Sequence, residues 1–339
     1  MITQQVAGRV FNFNREVKLT PAWRSRSIVS VAVGEGDDVF LVHRGSDYYP
    51  NVPWTRTMRG SKLSKVIIGT VLDDEKFVGQ FGGQGEDAGE FTWPVAVALD
   101  NQRNAYVTDE WLNRVSVFDK EGNFLKIWGK AGSGEGEFDG PSGLVFGPDE
   151  VLYIVDSRNN RVQKYTKDGE FLGQWGSSGN DAGGLNAPWG ITIDHRGDVY
   201  VADHENHRVQ KFSPDGSPLA TFGSYGSGDG QLNRPSDVAV DPDGDVYVCD
   251  WANDRIQVFG PDGEFITSLL GDAREPSKAA MSIIETNPEM VKQLQDMPDQ
   301  TAIGRFSFPT GIAFDPEKHR ILVTDSQRGR LQIYDKIKI

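Results

Sequence analysis

The sequence predicts an all-β fold, a six-bladed β-propeller, from two observations. The first is an internal period of 47 residues over most of the chain. The second is that each period holds four short apolar or alternating runs, separated by turn pairs such as Asp168-Gly169. Four antiparallel strands repeated in this way make propeller blades. Three sets of equivalent positions, which we call columns, recur at this period. They are Pro94, Pro141, Pro188 and Pro235, then Asp109, Asp156, Asp203 and Asp250, then Arg114, Arg161, Arg208 and Arg255.

Taken in chain order, the blades begin with a divergent copy near residues 27–42, which read SIVSVAVGEGDDVFLV. Four regular copies follow, and a last copy starts at Pro309 but lacks its outer strand. We predict that GRVFNFN, residues 8–14, supplies that strand. Both termini then share one sheet and no strand edge is left free. The whole chain, 1–339, is expected to form this single domain.

Composition narrows the choice of partners. A net charge of −14 and a pI near 4.8 argue against binding nucleic acid, which requires basic surfaces. No apolar run approaches the ~20 residues of a membrane span. Cys249 is the single cysteine, so no intrachain disulfide is expected. The first residues, MITQQVAGRV, do not resemble a signal peptide. We expect a cytoplasmic protein that binds a small molecule, with its oligomeric state left open.

Residues that recur in every blade are interpreted as structural, because the same side chain in each copy performs the same task. The repeated aspartates and arginines are expected to hold the loop between the second and third strands. The asparagines nearby are expected to do the same. They are Asn113, Asn160, Asn206 and Asn253.

Function is instead expected where equivalent positions differ between blades. Two variable columns follow the repeated Asp, on the face where one blade crosses to the next, and a third follows each strand-entry proline. Propellers usually bind ligands on that face, around the mouth of the central channel. The first two columns include Arg44, Glu110, His204 and Trp251, then Trp111, Arg158 and Glu205, and the third is Val95, Ser142, Trp189, Ser236 and Thr310.

These residue types suggest roles. Arg44 is the predicted anchor for an anionic group. His204 or Glu110 would move a proton, since the histidine pKa lies near neutrality. Trp189 would line the pocket, whereas Trp111 and Trp251 either line it or pack between loops. Arg158 and Glu205 either contact the ligand or pair with each other. His43 replaces the repeated Asp in the first blade and is a further catalytic candidate.

Two insertions interrupt the period. Residues 45–63 follow the first blade's variable loop and are rich in aromatic and basic residues. We expect this segment to cover the mouth, with Tyr48 catalytic and Tyr49, Trp54 and Arg56 binding the ligand. Residues 272–304 contain Asn287-Pro288-Glu289, a typical helix start. They predict a helical cap between blades five and six. The alternative is a decorative loop or a dimer contact.

The repeated pattern, with NHRVQKF at 206–212, resembles the NHL-repeat family. Within it, the His43-Arg44-Gly45 segment followed by aromatics is distantly similar to lyases that cleave peptidyl-α-hydroxyglycine. That resemblance implies an essential arginine, which Arg44 matches, a tyrosine, and zinc bound by histidines after the strand-entry prolines. Here those positions are Val95, Ser142, Trp189, Ser236 and Thr310. A divalent metal, zinc or calcium, is therefore left open as a cofactor.

Two functions follow as hypotheses. The first is an enzyme of the lyase or hydrolase type that acts on a small, anionic metabolite at the channel mouth. The second is a non-catalytic propeller that binds a peptide or protein partner on its aromatic rim.

Overall fold

Six antiparallel sheets form a ring in the computed structural model, which describes residues 3–17, 27–44, 65–71, 76–273, 281, 285–296 and 304–338. In blades one to five the first strand in sequence is the innermost, and in blade six the innermost strand is Pro309–Asp315. The strands of blades one to three are Ile28–Val33, Asp38–His43, Lys65–Thr70 and Phe77–Phe81, then Pro94–Leu99, Ala105–Asp109, Arg114–Phe118 and Phe124–Trp128, then Pro141–Phe146, Leu152–Asp156, Arg161–Tyr165 and Phe171–Trp175.

The remaining three blades repeat the arrangement, which confirms the predicted six-bladed propeller. Blades four and five are Ile191–Ile193, Val199–Asp203, Arg208–Phe212 and Pro218–Phe222, then Pro235–Val240, Val246–Asp250, Arg255–Phe259 and Phe265–Leu269. Blade six contains Pro309–Asp315, Arg320–Asp325 and Arg330–Lys338. Two of the crossover loops each contain a pair of two-residue parallel strands. They are Ser177–Ser178 with Gly184–Leu185, and Ser224–Tyr225 with Gln231–Leu232.

Blade six is completed by the N-terminal segment. Arg9–Val17 pairs antiparallel with Arg330–Lys338, and so extends beyond the predicted 8–14. Thr3–Val6 pairs with Arg9–Val17 as a fifth, outermost strand that the sequence analysis did not anticipate. The turn between them, Ala7-Gly8, has positive φ at both residues. Asn and Gly favour such turns, which explains why a sequence with Ala at this position gave no hairpin signal.

The hydrophobic core is divided into six clusters, one in each interface between adjacent blades. Between blades one and two, for example, Phe40 and Val42 pack with Val97 and Val107. Each second strand is apolar on both faces because it is covered by a blade on either side. The five-residue strand Ala105–Asp109, for instance, is fully buried. The core therefore depends on closure of the ring.

The repeated aspartates hold the predicted loop between the second and third strands, as Asp109 does by accepting the N–H groups of Trp111 and Leu112, and they also hold the crossover loops. In blade three, Asp156 accepts a hydrogen bond from the backbone N–H of Asp139 at 2.7 Å and from the Arg161 Nε at 2.8 Å. Arg161 in turn donates to three crossover carbonyls, those of Ser133, Gly134 and Glu137. Equivalent Asp–Arg pairs recur in blades four, five and six. After each of these four aspartates the loop forms a single 3-10 turn: Ser157–Asn159, His204–Asn206, Trp251–Asn253 and Ser326–Arg328.

The insertions are only partly described. Within 272–304 the chain forms a helix, Pro288–Gln295, whose N-cap Asn287 side chain accepts a hydrogen bond from the Glu289 N–H. Its position over the rim stays a prediction. The segment 45–63, with Tyr48, Tyr49, Trp54 and Arg56, lies outside the described residues. No helix among the described ranges is long and apolar enough to span a membrane.

Candidate functional site

Residues from all six blades line a small pocket at the mouth of the central channel, on the face of the variable loops. Its volume is about 30 Å³. Two of the predicted site residues, Arg44 and Trp189, share this pocket although 145 positions separate them in the sequence. The ring geometry therefore assembles part of the predicted site. The pocket also includes Val95, Ser236, Asp237 and Thr310.

Below the mouth, a larger cavity of about 410 Å³ follows the channel towards the opposite face. Its walls are the six inner strands, which contribute aliphatic side chains such as Val97, Leu144 and Ile312. Asp237 lines both the mouth pocket and this cavity. The two spaces thus meet at a carboxyl group.

Arg44 is nearly buried and is held from three sides. Its Nε donates to the carbonyl of Pro94 in blade two at 2.7 Å, and its guanidinium lies 4.8 Å from the centre of the Trp93 ring. One terminal nitrogen is 3.9 Å from the Glu110 carboxylate. The guanidinium stacks on an aromatic ring and faces a carboxylate on one side, and these two contacts fix its plane. Arg44 is therefore a rigid cation at the pocket wall.

Glu110 connects Arg44 to Arg158 along the rim. The Arg158 guanidinium lies 2.5 Å from Glu110 and 3.2 Å from Asp139, and about half of its side chain is exposed. Glu205 instead pairs with Arg234 at 3.3 Å. The suggested pairing of Arg158 with Glu205 is therefore wrong, because each finds an opposite charge nearer to its own loop.

His204 is buried beside the mouth, and its hydrogen bonding defines its tautomer. Nδ1 lies 3.1 Å from the carbonyl oxygen of Pro235. Because a carbonyl only accepts, Nδ1 carries the proton, and the neutral ring keeps a lone pair on Nε2. Burial lowers the His204 pKa from its usual 6.5, so the neutral form predominates near pH 7. The side chain is thus preset as a proton acceptor.

Aromatic rings continue outward from the pocket across blades four, five and six. The His204 ring centre lies 5.0 Å from that of Trp189 and 5.9 Å from that of Trp251. Trp251 in turn lies 4.7 Å from Phe308. We call these four residues the aromatic wall. Trp251 thus packs between the two neighbouring loops, and it is not among the residues that line the mouth pocket.

The hydroxyl groups after the strand-entry prolines connect neighbouring blades. Ser142 donates to the carbonyl of Trp189 at 2.9 Å, and Ser236 donates to that of Pro309 at 2.9 Å. Thr310 lies 3.4 Å from the carbonyl of Ile28. With Val95 and Trp189 as the other members, this ring offers no imidazole, so it does not fit the histidine-bound zinc implied by the resemblance. Across the described ranges, no three His, Cys, Asp or Glu residues are grouped to hold a metal ion.

Asp237 is the pocket residue that the sequence analysis missed. It lies two positions after Pro235, where other blades have Ala96, Gly143, Gly190 and Gly311. Its carboxylate accepts hydrogen bonds from the N–H groups of Ile312 and Val238, both at 2.9 Å. Burial raises its pKa to about 7. This contrast between blades is a signal present in the sequence, and it lies one position beyond the column that directly follows each strand-entry proline.

The remaining candidates lie farther from the mouth pocket. His43 is buried at the end of the second strand of blade one, paired in register with Ile28 and Lys65. Trp111 is half-buried, and its backbone N–H is bonded to Asp109 at 3.1 Å. Neither residue lines the pocket.

Comparison with protein-family models finds two matches. The NHL repeat model matches residues 185–212, 232–259 and 306–334. A model described as a 6-bladed β-propeller matches residues 95–175. No curated protein sequence is significantly similar to the chain.

Solved structures similar to this one are propellers of diverse function. A catalytically inactive histidine-to-alanine variant of virginiamycin B lyase from Staphylococcus aureus, with quinupristin, is 14% identical with a TM-score of 0.56, over 96% of this chain and 99% of that one. An auxiliary nutrient binding protein from Bacteroides thetaiotaomicron is 13% identical with a TM-score of 0.60, over 92% and 70%. A nidogen/laminin complex is 17% identical with a TM-score of 0.53, over 82% and 93%. At these identities the likeness shows the fold.

Proposed function

We propose that this chain, a six-bladed β-propeller built from NHL repeats, is an enzyme of the lyase or hydrolase type that acts on a small anionic metabolite at its channel mouth. The observation that carries the proposal is that the channel mouth has a rigid cation, Arg44, on one side and a neutral base, His204, on the other. The two residues come from blades one and four, which lie on opposite sides of a six-membered ring. A substrate in the mouth would lie between them.

Arg44 supplies the binding energy for the anionic group. Its guanidinium is already oriented by Trp93 and Glu110, so little conformational entropy is lost when a carboxylate binds. Glu110 balances the charge of Arg44 while the site is empty. The same carboxylate also binds Arg158, so it is shared between two guanidinium groups.

His204 supplies the proton transfer. With its proton on Nδ1, Nε2 accepts a proton from the substrate carbon in an elimination, or from a water molecule in a hydrolysis. The resulting imidazolium remains bonded to Pro235 through Nδ1. Trp189, 5.0 Å away, restricts the ring and excludes water from one side. General-base catalysis of this type contributes about 10²- to 10⁴-fold.

A differential screen tests the proposal. The wild-type protein and a His204→Asn variant are each incubated with a library of small carboxylates and phosphate esters, and consumption is followed by mass spectrometry. We expect at least one compound that the wild type consumes and His204→Asn does not. A compound consumed equally by both proteins would place the chemistry elsewhere. Metal analysis of the same samples tests independently for a divalent cofactor.

The aromatic wall favours a second candidate, a scaffold that binds a peptide or protein partner. Four rings in sequence provide an apolar strip of the kind that anchors aromatic or aliphatic side chains. A Trp251→Ala variant separates the two. Loss of a partner in a pull-down, with substrate consumption intact, would support the scaffold, whereas loss of consumption alone supports the enzyme.

A further inference from the structure

The mouth pocket contains two charged side chains of opposite sign among the described residues that line it, Arg44 and Asp237. They belong to blades one and five, with blade six between them. Arg44 contacts Pro94 and Glu110, and the Asp237 carboxyl group accepts hydrogen bonds from two backbone N–H groups. A pocket that presents a guanidinium group and, at a separate point, a carboxyl group is complementary to a ligand that carries both a carboxylate and an ammonium group.

Asp237 differs from the other carboxylates along the channel. Asp194 lies 3.3 Å from the Lys211 ammonium, and Asp241 is hydrogen-bonded to Lys336. For Asp237, no cation among the described residues lies within ion-pairing distance. A buried carboxylate without a counter-ion is costly, and a ligand cation that supplies one is bound strongly for that reason.

The packing around Asp237 shows that its position is built into the fold. Its Oδ2 reaches across to the Ile312 N–H of blade six at 2.9 Å. On the other side it abuts Gly190 of blade four, where an added Cβ would lie only 2.2 Å from Oδ1. The inner strands of blades five and six, together with Gly190 just before the inner strand of blade four, therefore hold the carboxyl group at the junction of the two cavities.

Cavity size indicates where the rest of the ligand lies. The mouth pocket alone, at about 30 Å³, has room for little more than a water molecule. The space below Asp237 is about 410 Å³ with aliphatic walls. A ligand that contacts both charges therefore extends its apolar part past Asp237 into the channel.

We propose that the site binds a zwitterion, an aliphatic amino acid or a similar molecule, with its ammonium group at Asp237, its carboxylate at Arg44 and its side chain in the channel. This inference rests on the proposed ligand site at the mouth and adds the class of ligand.

Binding of three matched probes tests it by isothermal titration calorimetry. They are L-leucine, N-acetyl-L-leucine, which lacks the cation, and 3-methylbutylamine, which lacks the carboxylate. We expect leucine to bind most tightly. The affinity of the Asp237→Asn variant for leucine should fall by about tenfold or more, because a charge-assisted contact is lost. The N-acetyl compound should bind both proteins equally. Thermal melting of Asp237→Asn verifies its folding.

The inference is overturned if leucine binds no more tightly than N-acetyl-leucine, if Asp237→Asn leaves leucine affinity unchanged, or if none of the probes binds. These outcomes are distinct from failure of the proposed function. If the substrate screen finds a carboxylate whose consumption requires His204 while leucine does not bind, the enzyme stands and the zwitterion is wrong. If leucine binds through Asp237 and nothing is consumed, the site is a receptor.

Discussion

Arg44 and His204 make the same contact on opposite sides of the ring. Each follows the last residue of the second strand in its blade, and each donates to the strand-entry proline carbonyl of the next blade: Arg44 to Pro94 at 2.7 Å and His204 to Pro235 at 3.1 Å. In blade six, Ser326 donates to the equivalent carbonyl, that of Ile28, at 2.6 Å. A serine is sufficient for this structural contact, so the larger charged and titratable groups in blades one and four add a capability that the scaffold does not require.

The first prediction separates the structural and chemical roles of His204. Asn places an N–H near the position of Nδ1 but has no basic nitrogen. His204→Asn should therefore keep the bond to Pro235 and most of the stability, while consumption of the substrate falls about 10²- to 10⁴-fold. Thermal melting and steady-state rates measure the two effects.

The neighbouring His207 provides a matched control. Its Nδ1 accepts the Arg234 N–H at 3.0 Å, as the Asn113 and Asn160 side chains accept from the next crossover in their blades. His207→Asn restores the residue that sibling blades use and should leave the rate unchanged. An equal loss of rate in both variants would show that the loop, and not the base, is responsible.

The pH dependence of the reaction provides a second prediction. His204 acts as a base only when neutral, so the rate falls as pH drops through its pKa. Since burial lowers that pKa from 6.5, kcat/KM should hold at pH 6.5 and decline only below it. A decline centred above pH 7 would contradict the assignment.

Arg44→Lys is the third prediction. Lysine keeps the charge but loses both the planar stacking on Trp93 and the bond from Nε to Pro94. We expect KM to rise about 10- to 100-fold with kcat little changed, because the anion anchor contributes equally in the ground and transition states. Arg158→Lys, which changes an exposed side chain of the same rim, should change KM by less than about threefold. Equal effects would place the anion on Arg158.

The fourth prediction concerns Asp237 and the stability of the fold. The unfolded carboxyl ionises near pH 4 and the folded one at about 7. Between these values the folded state retains a proton that the unfolded state has released, so stability falls as pH rises through this window. Asp237→Asn removes this loss. Its free energy of unfolding relative to wild type should rise by about 2 to 4 kcal/mol from pH 4 to pH 8, with the lower value reflecting water in the channel.

The free energies of unfolding of the two proteins are measured in urea. If their difference does not change with pH, the pKa of Asp237 has its usual value in the folded protein. The structure would then have to supply a counter-charge near the carboxylate.

The fifth prediction addresses closure of the ring. The buried Lys336 ammonium contacts Asp241, Asp243 and Asp245 of blade five, at 3.1 Å and 2.9 Å for the last two. Lys336→Met leaves two buried carboxylates, Asp241 and Asp245, without this cation, and should cost about 3 to 5 kcal/mol. Lys130→Met removes an exposed pair with Glu137 and should leave the melting temperature nearly unchanged. Similar melting temperatures for the two variants would show that the terminal strand is held by its backbone pairing alone.

The candidate site was only partly predictable. Arg44 and His204 stood out because they lie in a column, directly after the repeated Asp, whose residues differ between blades. Asp237 also differs from its equivalents, but its importance depends on the narrowing of the channel between inner strands, which no spacing reveals. The partners of Arg158 and Glu205 were also beyond the sequence, because they depend on how far each side chain reaches along the rim.

The sequence by itself determined the blade count, the strand order within each blade and the structural role of the Asp–Arg pairs. A repeat of 47 residues imposes the same local hydrogen bonds in each copy, so these features follow from short-range contacts. Only the tertiary structure decided which variable residues face one another. Closure brings the inner strands of all six blades around one axis, and Arg44, Trp189 and Asp237 meet there because they lie at that axis, whatever their separation along the chain.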